Sequence, residues 1–151
     1  MVKKRKIEGS IAFGIMDGII TLLGILLAMF AINADQHTII VAAIATAIAD
    51  STANAAGYHA SEEAANGAKG HSAAMRSSAL CFVATFIAMI IPLVPIILLQ
   101  PPSSIYLSAV IGLLMLFSLG KYVKDWKVGI EYLAIGVIAG VICYAVGIFV
   151  K

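Results

Sequence analysis

The stretch 11–32, IAFGIMDGIITLLGILLAMFAI, constrains the fold of this chain more than any other part of it. It is long enough to cross a bilayer as a helix, which takes about 20 apolar residues. Its only charged residue is Asp17. A carboxylate inside the hydrocarbon costs about 2.5–3.5 kcal/mol on insertion scales, so it needs a partner or a function. Residues elsewhere in the chain must therefore supply what Asp17 contacts.

The composition of the whole chain also indicates a membrane protein. Hydrophobic residues make up 62% of its 151 residues and charged residues 12%, whereas a soluble domain has about 25% charged residues. These values predict a single-domain integral membrane protein. The basic residues collect in short loops, so a nucleic-acid partner is not expected. The apolar run behind MVKKRK is too long for a signal peptide and lacks an Ala-x-Ala exit, which predicts a retained first span.

Five apolar segments predict an all-α protein with five transmembrane helices. The segments are too long and too continuous for the alternating strands of a membrane barrel. Pro92 and Pro95 are expected to kink or break the third helix in its outer third. The predicted helices cover about residues 11–32, 39–61, 73–99, 105–123 and 128–150.

The basic residues predict the orientation. They precede the first helix, flank the link between helices 2 and 3, and fill the link between helices 4 and 5, whereas the two other links hold no Lys or Arg. The positive-inside rule then predicts a cytoplasmic N-terminus and a C-terminus on the opposite side. The plasma membrane of a prokaryote is the simplest expected location. The residues concerned are Lys3, Lys4, Arg5, Lys6, Lys69, Arg76, Lys121, Lys124 and Lys127.

Helix 2 carries two polar groups that suit Asp17. Asp50 and Asn54 lie one turn apart, beside a stripe of small residues at every fourth position from Ala45 to Gly57. At 1.5 Å per residue, Asp17 and Asn54 each lie about 12 Å from the cytoplasmic side, with Thr21 and Asp50 about one turn deeper. If the two helices pack antiparallel, the four side chains meet. Their oxygens suit a divalent cation such as Mn²⁺ and, less selectively, Fe²⁺.

Two interpretations of these residues remain open. The pairs Asp17–Asn54 and Thr21–Asp50 could simply hydrogen-bond and hold two helices together. Two acids at similar depth favour a cation or proton pathway, because buried like charges repel unless a proton or cation intervenes. An enzyme is not expected, since the sequence shows no Ser/His or Cys/His pairing at matched depth and no His-Glu-x-x-His motif.

A second polar group lies at the cytoplasmic end of helix 2. Glu62, Glu63 and His59 are predicted to capture metal there, and His71 is expected at the same place and could take part. An exposed acidic pair that merely ends a helix in solvent is the competing interpretation.

Four motifs in the chain resemble those of one known family. They are FGIMDGIIT at 13–21, STANAAG at 51–57, PLVP at 92–95 and the Gly-rich stretch 136–147. In this order they resemble the Asp-Gly signature, the small-residue segment, the Pro-Leu-x-Pro motif and the last helix of the vacuolar iron transporter family. The resemblance touches four of the five spans.

The resemblance implies a five-helix, dimeric, proton-coupled exporter of cytosolic Fe²⁺ or Mn²⁺. Its pathway would run along helix 1 at the dimer interface, with Asp17 as the family's carboxylate. Three features depart from the family. Asn54 stands where many members have methionine, and Asp50 lies about one turn beyond the family's helix-2 carboxylate, near Thr46. The family's long cytoplasmic helices, which would capture or store metal, are reduced to residues 62–72. A separate metal-donor protein would then take over that capture.

The sequence therefore predicts a divalent metal/proton antiporter. Asp17 and Asp50 would bind the metal during export and carry protons in the opposite direction. Thr21 and Asn54 would complete the coordination shell of the metal. The alternative is a non-transporting homodimeric membrane scaffold, or a partner-binding subunit of the same fold.

Overall fold

The computed structural model describes residues 2–66 and 71–150, with side chains at 9–65 and 71–150. The side chains of Lys3, Lys4, Arg5 and Lys6, on which the orientation depends in part, lie outside these ranges, as do Lys69 and Lys151.

Five helices account for nearly all of the described chain. Each contains a segment that is long and apolar enough to cross a membrane, and the described residues include no strand. The predicted all-helical class and the number of spans are therefore confirmed. The helices are α1 (Val2–Ala31), α2 (Gln36–Asn66), α3 (His71–Leu98), α4 (Ser103–Val123) and α5 (Trp126–Val150).

Two helix ends differ from the predicted ones. α1 begins at Val2, well before residue 11, and α2 continues to Asn66, so that Glu62 and Glu63 are helical and not part of a link. The prediction followed the apolar run, but a helix continues through polar residues with good helix propensity. Lys, Arg, Glu and Ala, which dominate both extensions, are such residues.

Of the predicted kink or break in α3, the break is wrong. The helix continues through Pro92 and Pro95, both buried, as far as Leu98. Transmembrane helices tolerate proline because neighbouring groups satisfy the freed backbone. Beyond the prolines, the side chain of Gln36 caps the end of α3: its Nε2 donates to the carbonyl of Ile96 at 2.5 Å and to that of Leu99 at 3.1 Å, which are among the carbonyls that a helix end leaves without a donor.

Asp35 caps α2 at the opposite end of the bundle from the basic loops. Its Oδ2 accepts from the Thr38 hydroxyl at 2.5 Å and its Oδ1 accepts from the Thr38 amide at 3.0 Å. Both bonds lower the pKa of Asp35 below its ordinary value, and the bond from the hydroxyl has the larger effect. An N-terminal aspartate of this kind satisfies a backbone amide that the helix itself leaves without an acceptor.

α1 is the central helix of the bundle, since it packs against all four others. Among the described residues, α2 packs against α1 and α3 and does not contact α4 or α5. Leu22 and Leu26 of α1 lie in one core cluster with residues of α2, α3 and α4. Ile19 and Leu23 lie in a second cluster, with residues of α3 and α4. Asp17 is therefore carried by the helix that has all the other helices as neighbours.

Two glycines bring α1 into backbone contact with α3. A Cβ at Gly14 would lie 2.7 Å from the carbonyl oxygen of Cys81, and one at Gly18 would lie 2.7 Å from that of Thr85. No real Cβ approaches a carbonyl so closely, so only glycine fits at either position. Small residues four apart are the usual way in which membrane helices pack closely. This contact places one face of α3 beside Asp17.

Gly18→Ala tests the importance of this contact. The added methyl group must push α1 and α3 apart, and overpacking of this kind typically costs about 1–3 kcal/mol of unfolding free energy. Gly9→Ala is the matched control, because a Cβ at that position would lie 3.7 Å from the hydroxyl oxygen of Tyr58, an ordinary contact distance, and alanine is the better helix former. Thermal unfolding in detergent should show a loss for the first variant and none for the second. Equal stability of the two variants would contradict a close contact between α1 and α3 at Gly18.

Candidate functional site

The amide of Asn54 joins three helices at the depth predicted for the site. Its Nδ2 donates to Asp17 Oδ2 at 2.6 Å and lies 3.5 Å from the hydroxyl of Thr85 on α3. Asp17 and Asn54 are both half-buried. A hydrogen bond to a carboxylate is among the stronger ones in proteins. It therefore gives Asp17 the polar partner that a charge among apolar helices requires.

The carboxyl group of Asp50 lies beside that of Asp17. It interacts with the Asp17 carboxyl and with the Thr21 hydroxyl. Its second oxygen, Oδ2, is enclosed by protein and receives no hydrogen bond from any described group. A buried polar atom without a partner costs about 1–3 kcal/mol, and more when it is charged. The structure thus brings the four predicted residues together, and one carboxylate oxygen among them has no hydrogen-bond donor among the described groups.

Sequence reasoning missed the contribution of α3. Thr85 is fully buried and accepts from Asn54, and the buried thiol of Cys81 interacts with the Thr85 hydroxyl. Ser77, Cys81 and Thr85 recur at every fourth position and are all buried. This stripe of small polar residues in an otherwise apolar helix was the signal that could have revealed them.

The arrangement suits a hard divalent cation or protons. Carboxylate and hydroxyl oxygens are ligands that Mn²⁺ accepts readily and Fe²⁺ accepts less selectively. Two adjacent carboxylates at low dielectric cannot both remain charged without a positive partner. Protons and a metal ion would therefore compete for the same pair.

The small-residue stripe of α2 lies on the outer face of the described bundle. Ala45, Ala49, Ala53 and Gly57, which are suited to close contact with another helix, are all exposed. α2 instead buries Ala43, Ala47 and Ser51, a stripe with the same four-residue spacing two positions away. Because both stripes consist of small residues at one period, the spacing alone did not distinguish the inner face from the outer one.

A second polar cluster lies where α2 ends and α3 begins. Glu63 Oε1 lies 2.7 Å from His71 Nδ1 and 3.3 Å from His59 Nε2. The ligand atoms of the three residues all lie within 4.8 Å of one another. His59 and Glu63 were predicted here. Glu62, the third predicted capture residue, is not part of this cluster and has an interaction of its own.

No protein family, curated protein or solved structure matches this chain. The functional interpretation therefore depends on the two polar clusters.

Asn54→Ala tests whether the amide supports the buried carboxylate. Removing it leaves Asp17 Oδ2 without its donor, and a loss of about 1–3 kcal/mol in unfolding free energy is expected. Thr52→Ala is the control: the hydroxyl of Thr52 is exposed and bonds only within α2, to Ile48 O at 2.7 Å. Its effect should stay within about 0.5 kcal/mol. Chemical unfolding in detergent at neutral pH measures both, and an unchanged Asn54→Ala protein would show that Asp17 does not need this bond.

Proposed function

We propose that this chain is a membrane transporter that exports a divalent metal ion, Fe²⁺ or Mn²⁺, from the cytosol in exchange for protons. The observation that carries the proposal is the adjacency of the Asp17 and Asp50 carboxyl groups within helices that can span a membrane. Acids at such depth are expensive and typically line ion or proton pathways. The unpartnered Oδ2 of Asp50 supports a site that gains a positive charge during its working cycle.

Charge balance at the pair supports exchange. Two carboxylates neutralise one divalent cation, and two protons neutralise the same two carboxylates. The site is then close to neutral in both states, which avoids the cost of a net charge at low dielectric. Metal entry would release the protons, and protonation from the other side would release the metal.

The neighbouring polar groups would complete the coordination shell. The Thr21 hydroxyl is already in contact with Asp50, and Asn54 and Thr85 lie beside Asp17. Asn54 Nδ2 donates a hydrogen bond to Asp17 Oδ2. Metal binding at that oxygen would therefore require the amide to turn so that its oxygen faces the ion, because only the oxygen can serve as a ligand.

The proposed orientation has a cytoplasmic N-terminus, a C-terminus on the opposite side and a prokaryotic plasma membrane as the location. Support comes from the end of the bundle where α1 begins. There Gly9 lies beside Tyr58 of α2 and shares a cavity with Leu119 and Tyr122 of α4. The basic residues of the α4–α5 link are at the same end. Glu62, Glu63 and His59 are at this end as well, where they would capture cytosolic metal or receive it from a separate donor protein.

A homodimer is part of the proposal. The exposed stripe from Ala45 to Gly57 offers a smooth surface, and α2 contacts only α1 and α3 among the described helices. Small residues permit close packing of two helices in a bilayer. The same surface also suits the competing function, a non-transporting homodimeric scaffold or partner-binding subunit. In a scaffold the Asp17–Asn54 bond would only hold helices together.

Flux through reconstituted protein distinguishes the two functions. In proteoliposomes with an imposed pH gradient, the wild-type chain should move Mn²⁺ or Fe²⁺ and move protons in the opposite direction. Asp17→Asn and Asp50→Asn should each lower metal flux by more than about tenfold, since loss of even an outer-shell group costs that much in metal affinity.

Glu131→Gln is the matched control, because it neutralises an exposed carboxylate on α5 and should leave flux unchanged. Unchanged transport in the Asp17→Asn, Asp50→Asn double variant would rule out the proposed pathway. A folded wild-type protein without metal flux would favour the scaffold.

A further inference from the structure

We infer that His59, Glu63 and His71 form a second metal site, separate from the Asp17–Asp50 pair, which binds a first-row transition-metal ion and ties the end of α2 to the start of α3. The inference does not require the chain to be a transporter, since the site lies in a different part of the bundle and uses different ligand atoms.

The separations of the ligand atoms suit a bound ion. Zinc and similar ions bind histidine nitrogen at about 2.0–2.1 Å and carboxylate oxygen at about 2.0–2.2 Å, so neighbouring ligand atoms around one ion lie about 3 Å apart. Glu63 Oε1 lies 2.7 Å from His71 Nδ1 and 3.3 Å from His59 Nε2. Small side-chain rotations would therefore let all three atoms share one ion.

The helices supply the three ligands in a way that fixes their directions. His59 and Glu63 are one turn apart on the same face of α2, and His71 is the first residue of α3. The two imidazole rings meet edge to face, with centroids 5.4 Å apart and planes at 84°. Nδ1 of His59 is buried without a hydrogen-bond partner, which leaves Nε2 as the nitrogen that faces the carboxylate.

The ligand set selects a class of ion. Two imidazole nitrogens and one carboxylate oxygen are typical of Zn²⁺, Fe²⁺, Co²⁺ and Ni²⁺, whereas Ca²⁺ and Mg²⁺ prefer oxygen alone. The side chains of Glu63 and His71 are 43% and 62% exposed. Water or a further ligand can therefore complete the coordination, as it does at open sites. The Asp17–Asp50 pair, in contrast, has oxygen ligands and lies within the bundle.

Ion binding would change how two helices are joined. The polar contact that this cluster makes between α2 and α3 is the Glu63–His71 pair, and a pair of exposed side chains contributes little. An ion held by residues of both helices replaces these with coordinate bonds. The site would thus stabilise the end of the bundle through which the metal enters in the proposed orientation.

The test uses the full chain in detergent, with Asp17→Asn and Asp50→Asn to remove the intramembrane pair. Calorimetric titration with Zn²⁺ and visible absorption with Co²⁺ should both show one bound equivalent, and the Co²⁺ spectrum should indicate imidazole ligands. Glu63→Gln or His71→Gln should weaken binding by at least about tenfold. Both side chains are exposed, so neither change is expected to unfold the protein.

Two matched controls share the chemistry but not the site. Glu131→Gln changes an exposed carboxylate on α5, and His37→Gln changes the chain's remaining histidine, which lies at the start of α2. Both should retain wild-type affinity. Equal affinity in all four variants would overturn the inference. If all binding is lost when Asp17 and Asp50 are changed, the ion belongs to the intramembrane pair: this inference then fails while the proposed transport site stands.

Discussion

A carboxylate within apolar helices must be hydrogen-bonded, protonated or paired with a cation, and the arrangement around Asp17 follows from that requirement. Asp17 lies on α1, the helix that contacts all the others. Asn54 of α2 donates to it, Thr85 of α3 lies next to that amide, and Asp50 of α2 adds a second carboxyl group. The hydrogen bond alone could hold two helices together. The contact of Asp50 with Thr21 could do the same, but the second acid also adds repulsion, which a proton or a cation would remove.

Close packing determines which groups reach this pair. Inside a bilayer the helices are held by van der Waals contact and hydrogen bonds, without a hydrophobic driving force between them. Gly14 and Gly18 let the backbone of α3 approach α1, which brings Cys81 and Thr85 within reach of the carboxylates. At the outer surface the exposed small residues of α2 have no partner within the described chain. A second copy of the chain is the partner that the proposed dimer would supply.

Much of this fold was predictable from the sequence. Long apolar runs define the five spans, and the fixed rise per residue placed Asp17 and Asn54 at one depth, where the structure joins them by a hydrogen bond. Helix ends were less predictable, because the polar residues beyond Ser61 form helix as readily as apolar ones. His71 was expected at the same end of the bundle, but its contact with Glu63 depends on how two helices meet, which no local pattern encodes. Vacuolar iron transporter membership, the transported metal and proton coupling remain predictions.

The most direct measurement of the central claim is anomalous X-ray diffraction from crystals of the protein grown or soaked with Mn²⁺. The proposed site predicts a peak between the carboxyl groups of Asp17 and Asp50, within coordination distance of oxygens from both. The peak should be lost in the Asp17→Asn variant. A Mn²⁺ peak confined to other parts of the protein, with the two carboxyl groups joined only to Asn54 and Thr21, would contradict a shared cation site in the membrane.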